Sequence, residues 1–164
     1  SFAASLERFY EYSIRLFCNI NGIDDRIVDQ TWKNVAAQSE RQFGAFCFLY
    51  TLIFGEPPTI FSNKITSFRN EVIHKGYIPD DQETLEYAEV VYNFIMNEIM
   101  KYRKMHNDNV QEVTDMRLQK LHTEARKSSQ VNIATCCMPT ALSFTMPNDQ
   151  ITPFKEIIQK RRIP

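Results

Sequence analysis

Glycine and proline are scarce, with 4 Gly and 7 Pro in 164 residues. That is too few for a loop-rich all-β chain or for a disordered one. Cysteine occurs as Cys18, Cys47, Cys136 and Cys137, never as CxxC, and two of these are adjacent. Such spacing suits neither a zinc site nor a secreted disulfide framework. Buried free thiols in a reducing compartment are expected instead, and with them a cytoplasmic location. Long apolar runs are missing. The longest, Phe46 to Phe54, is far too short to span a bilayer, so it reads as buried helix and no membrane partner is expected. Neither sign of charge is in excess: 19 Lys+Arg stand against 20 Asp+Glu, a formal net charge of -1. Binding of nucleic acid through bulk charge is thereby excluded, and any such binding must use a local patch.

Familiar local signatures are missing too. There is no Walker loop, no GxSxG, no HExxH and no EF-hand spacing. Internal repeats and low-complexity segments are also absent. No signal peptide is visible, because Ser1-Phe2-Ala3-Ala4 leads straight into charged residues. The missing initiator Met and the end at Arg162-Ile163-Pro164 are what a piece of a longer protein would show. The three histidines lie apart, with no acidic ligands at metal spacing, so neither a metal nor another cofactor is expected.

What the chain does have is aromatic apolar mass. It carries 12 Phe and 7 Tyr, and hydrophobic residues make up 43%. Their spacing is helical. Leu6, Phe9, Tyr10, Ile14, Phe17 and Cys18 predict a helix from Ser5 to Asn21, capped by Gly22. Asp24-Asp25 predicts the next helix start, and Ile27 to Phe54 reads as one long helix, with a break near Gly44 as an option. Gly55 and Pro57-Pro58 stop it. A third helix is expected over Phe61 to Lys75, with Thr59 or Ser62 as cap and Gly76 as stop. A fourth opens at Pro79-Asp80-Asp81 and carries Leu85, Ala88, Val91, Tyr92, Ile95, Ile99 and Tyr102 to about Lys104. His106 to Asn109 reads as a connector, and Val110 to Arg126 as a fifth helix. Val131 to Phe144 looks extended, and Thr152-Pro153 opens a short basic helix. The fold class expected is all-α: an antiparallel bundle of four to five helices over residues 1–127, with a small extended or irregular appendage over 128–164.

The segment that carries chemistry is Ser67 to Pro79. At about 100° per residue, Phe61, Ile65, Phe68 and Val72 share one face of its helix. Asn70 and His74 share another, roughly opposite, and Arg69 lies near the edge of the apolar face. A histidine in the last turn of a helix is most often structural, since its positive form complements the dipole. It is also a residue that moves protons near neutral pH. Asparagine is a poor choice for a helix interior, and here it packs nothing. An arginine beside it can neutralise a phosphate through its planar fork. The set suits phosphodiester cleavage without metal: His74 moves the proton, Arg69 stabilises the developing charge and Asn70 positions. Because the Asn70/His74 face turns from its own core, two copies across a two-fold axis would complete the site better than one.

Arg69-Asn70-Glu71-Val72-Ile73-His74 resembles the arginine, polar residue, spacer, histidine motif of the HEPN superfamily (higher eukaryotes and prokaryotes nucleotide-binding). The resemblance covers roughly Ser5 to Lys104. It implies a helical bundle that dimerises. It also implies a metal-independent endoribonuclease of the toxin–antitoxin, anti-phage or RNA-processing kind, with RNA and an antitoxin or other protein regulator as partners. Arg69 and His74 carry over as catalytic, with Asn70 assisting. Lys75 and Tyr77 are added as RNA contacts by charge and stacking; a solvated lysine and a partly buried tyrosine are their plainer readings. A non-catalytic module of the same type, binding RNA or nucleotide or only dimerising, is the competing expectation. A helical interaction domain in which Arg69 and His74 merely cap and pair is a third.

Overall fold

The computed structural model describes residues 2–128 and 151–161, with side chains over 4–127 and 151–159. Helix α1 (Phe2–Ile20) follows the spacing of its apolar residues: Leu6, Phe9, Tyr10, Ile14 and Phe17 are all buried. It ends where Gly22 takes a left-handed φ of 71°. The amide of Ile23 then donates to the Cys18 carbonyl at 3.0 Å, and that of Gly22 to the Asn19 carbonyl at 2.8 Å. This pair of bonds satisfies carbonyls that the helix itself leaves open.

Helix α2 (Asp25–Trp32) is capped by Asp24, whose carboxylate accepts from the Arg26 amide at 2.8 Å. The Arg26 side chain also donates to it, and together these bonds hold the Asp24 carboxyl at about 2. Arg15 ties α2 to α1. Its guanidinium reaches Asp25 at 2.8 Å, Asp29 at 2.9 Å and Glu11 at 3.4 Å. Burial works against this charge, yet the hydrogen bonds to Asp29 and Asp25 leave its pKa above the ordinary arginine value.

Helix α3 (Ser39–Phe54) starts afresh after a turn, so the single long helix expected from Ile27 to Phe54 is two helices. The break falls at residues 33–38, and Gly44 lies inside α3. The cause is local: the amides of Asn34, Val35 and Gln38 bond three residues back, to Thr31, Trp32 and Val35. Side chains of α3 then cap the turn. Gln42 Nε2 donates to the Ala36 carbonyl at 2.8 Å, and Arg41 donates to that of Asn34 at 3.2 Å. Phe46 of α3 is the hub of the aromatic core, with ring centroids 4.9 Å from Tyr10, 5.6 Å from Tyr50 and 6.1 Å from Phe9.

Helix α4 (Asn63–His74) follows, and then α5 (Asp81–Ser128). Asp80 and Glu83 cap α5 reciprocally: the Glu83 amide donates to Asp80 Oδ1 at 2.8 Å and the Asp80 amide to Glu83 Oε2 at 3.1 Å. His106, with φ -141° and ψ 44°, kinks α5, while residues 107–109 of the connector expected there are helical. Helix α6 (Phe154–Arg161) begins one residue after Pro153, so the short helix expected near the chain end is present. The described residues are all-helical, in six helices, with no strand among them. The extended segment expected over Val131 to Phe144 lies outside the described residues.

The chain divides into two compact units, Ser1–Phe94 and Ile95–Pro164, with the division inside α5; the division expected from sequence stood after residue 127. The first unit holds α1 to α4, the start of α5 and the aromatic core. In the second, Ile95, Ile99, Tyr102, Val110, Val113 and Phe154 are buried. Among the described residues no helix is long and apolar enough to cross a membrane.

Candidate functional site on helix α4

Helix α4 buries none of its 12 residues completely. It rests on its neighbours through half-buried Ile65, Phe68 and Val72, while Ser67, Asn70 and His74 are exposed. The Phe68 ring lies 5.3 Å from that of Tyr87, and just before the helix Phe61 lies 4.8 Å from Phe94. Burial thus follows the wheel drawn from sequence. Gly76 ends the run with φ 69°, which lets the Tyr77 amide turn back and donate to the Glu71 carbonyl at 3.1 Å.

Arg69 is turned inward. Its side chain is 15% exposed, and Nη2 donates to Glu7 Oε1 of α1 at 3.2 Å. The guanidinium lies close enough to Tyr10 and Tyr87 to favour their ionised forms. Burial outweighs it, however, and pushes both phenols above the ordinary value. Arg69 and Asn70 together line a cavity of about 240 Å³, whose walls include Glu7, Tyr10, Phe43 and Tyr87. The structure therefore brings Arg69 and Asn70 to one pocket. His74 is not part of its wall; it stands exposed in the last turn of α4.

The two added candidates have local occupations. Lys75 is 72% exposed, with Nζ 4.0 Å from Glu71 Oε1, a pair of little energetic weight. Tyr77 donates its hydroxyl to the Glu83 carboxylate, at 2.7 and 2.9 Å from the two oxygens, and lays its ring edge-on to Phe68. That hydrogen bond raises the Tyr77 pKa, with burial and the nearby acids adding to it. Tyr77 thus fastens the loop between α4 and α5, and Glu83 both caps α5 and holds Tyr77.

Sequence reasoning missed Glu7, Tyr10 and Tyr87 as surroundings of Arg69. Tyr10 was legible only as part of an apolar stripe, and no local pattern links Glu7 to a residue 62 positions away. Cys18 and Cys47 are free and half-buried, and burial pushes both thiols up, which disfavours the reactive thiolate. Among the described residues, no group of three or more His, Cys, Asp or Glu is placed to hold a metal ion. Comparison with protein-family models, with curated proteins and with solved structures gave no match.

Proposed function

We propose that this chain is a HEPN-like, metal-independent endoribonuclease domain, an effector of a toxin–antitoxin or anti-phage system held in check by a protein regulator. The observation that carries the reading is the presentation of α4. Asn70 and His74 stand one turn apart on its exposed face, and Arg69, next to Asn70 in sequence, is turned inward to the pocket that Asn70 also lines. In the reaction the ribose 2′-oxygen attacks the adjacent phosphorus and the bond to the 5′-oxygen breaks. The products are a cyclic phosphate end and a free 5′-hydroxyl. The proton lost by the 2′-hydroxyl is balanced by the one the leaving oxygen gains, and His74 is the group suited to move it. Arg69 offers N–H donors beyond the one given to Glu7, and these stabilise charge on the phosphate oxygens. The Asn70 amide orients either the imidazole or the phosphate. A second copy across a two-fold axis would bring two such faces together.

The ion pair of Arg69 with Glu7 favours a second reading. It gives the arginine a partner within its own chain, as a non-catalytic module that binds RNA or nucleotide, or only dimerises, would have it. One assay separates the two. Purified protein is incubated with single-stranded and structured RNA in EDTA, beside His74→Ala and Arg69→Ala. Cleavage by wild type, lost in both variants, is the expected result. No cleavage, or equal cleavage by the variants, removes the ribonuclease reading, and RNA retained without cleavage points to the second.

A further inference from the structure

The cavity beside Arg69 is not built as a phosphate site. Its walls are aromatic: Tyr10, Phe43, Phe61 and Tyr87 all line it. Phe43 and Phe61 are half-buried, so each keeps ring surface open to a ligand. Two carboxylates, Glu7 and Glu40, share the walls with one guanidinium, that of Arg69. Negative charges thus outnumber positive ones, and an anion entering the pocket is opposed. Glu7 gives only Oε1 to Arg69, at 3.2 Å, and its side chain is 40% exposed, so Oε2 remains to accept from a ligand. Size narrows the choice further. About 240 Å³ falls below the roughly 300–1,000 Å³ of pockets that enclose drug-sized molecules. That is room for one ring system and not for a whole nucleotide. Asn70 both lines the pocket and stands exposed, so a base held inside leaves its phosphate at the surface of α4 that carries His74.

We propose that this pocket is a base-recognition subsite that takes guanine from the RNA strand, with Glu7 as the residue that decides the base. The subsite rests on the ribonuclease reading for its substrate and adds the specificity which that reading lacks. Guanine carries two donors side by side, N1–H and the N2 amine, and a carboxylate accepts from both. Its O6 stands next to N1 on the same edge, as Arg69 stands next to Glu7, and accepts from the guanidinium. An arginine has five N–H donors, so some remain for the phosphate. The other bases use this pair less fully. Adenine sets an amine where guanine has O6, against the guanidinium, and an acceptor nitrogen where guanine has N1–H, against the carboxylate. Uracil and cytosine bring the carboxylate a single donor group, and they offer the aromatic walls a smaller ring.

Fluorescence anisotropy tests it with short oligouridine strands that hold one guanosine, inosine, adenosine or cytidine. The sugars are 2′-fluoro, which cannot attack the phosphate, so binding is read without cleavage. The guanosine strand should bind about tenfold more tightly than the adenosine or cytidine strand. Inosine lacks only the N2 amine and should bind several-fold more weakly than guanosine. Glu7→Gln, with unchanged helical circular dichroism, should bring guanosine and inosine together. The ratio is the measure, because loss of the Glu7 charge also eases the approach of phosphate on every strand. Equal binding of guanosine and adenosine overturns the proposal. So does a guanosine-to-inosine ratio that Glu7→Gln leaves unchanged, and so does the absence of binding to every strand. Unmodified RNA separates this proposal from the reading it rests on. Cleavage with no base preference removes the subsite and leaves the ribonuclease chemistry standing. Guanosine preference without cleavage does the reverse.

Discussion

Arg69 serves two demands on one side chain. Glu7 holds the guanidinium in place at 3.2 Å, and its negative charge also opposes the approach of any phosphate. Replacing Glu7 with Gln keeps a hydrogen-bond acceptor and removes that charge. On the proposed function, Glu7→Gln should bind RNA roughly threefold more tightly, on the scale of one half-exposed charge pair. Arg69→Ala should bind it more weakly by a larger factor. Filter binding at fixed ionic strength measures both, and an unchanged affinity in Glu7→Gln would show that no phosphate comes near Arg69. Arg15 offers a residue-scale test that needs no assumption about function. It is the shared cation of Glu11, Asp25 and Asp29, and Glu11 is buried. Arg15→Met takes the shared cation from Asp25 and Asp29, while Glu11 keeps its ion pair with Arg8 at 2.9 Å. It should destabilise the fold by about 2 kcal/mol, less than a fully buried pair because Asp25 and Asp29 are part-exposed. Asp29→Asn removes one partner of three and should cost under about 1 kcal/mol. Urea midpoints of the two variants give the ranking.

Among the elements, α3 shows how different the two sides of one helix can be. Phe46 and Phe48 stand two residues apart, the first buried in the aromatic hub and the second almost wholly exposed. Phe46→Ala should cost about 3–5 kcal/mol, while Phe48→Ala should leave monomer stability within about 0.5 kcal/mol. Gly44→Ala fills open space and should stabilise the single chain by about 0.5–1 kcal/mol. Thermal unfolding at low concentration, where copies are apart, reads all three. Sequence periodicity gave the bounds of α1 and α4 closely, because glycines at 22 and 76 stop runs whose apolar spacing is regular. The turn between α2 and α3 was illegible for a physical reason. Arg41 and Gln42, which cap its carbonyls, look in sequence like the polar face of a continuing helix. A side chain that bonds back to a preceding turn carries no signal distinct from one that faces water.

At the scale of the molecule, the all-helical class was legible from composition and spacing, and the wheel of α4 told which of its residues turn outward. The surroundings of Arg69 were not legible, since Glu7 and Tyr10 come from α1 and Tyr87 from α5, and only packing joins them. That packing has a consequence at alkaline pH. Burial raises the pKa values of Tyr10, Tyr87 and Tyr92, all in the first unit. In the unfolded chain these phenols ionise near pH 10, as free tyrosine does, whereas the folded chain keeps them protonated to higher pH. Between the two values the folded state binds more protons than the unfolded one, so stability falls as pH rises. The stabilising contribution is complete below about pH 10 and is lost as pH climbs through the raised, folded values. The urea midpoint should therefore fall progressively as pH is raised above about 10, and tyrosinate absorbance should appear together with unfolding. Tyr10→Phe removes the most strongly shifted of the three groups and should make that drop shallower. An equal drop in Tyr10→Phe and wild type would mean that the Tyr10 hydroxyl is open to hydroxide in the folded chain, and that the aromatic hub beside Arg69 is looser than its ring contacts imply.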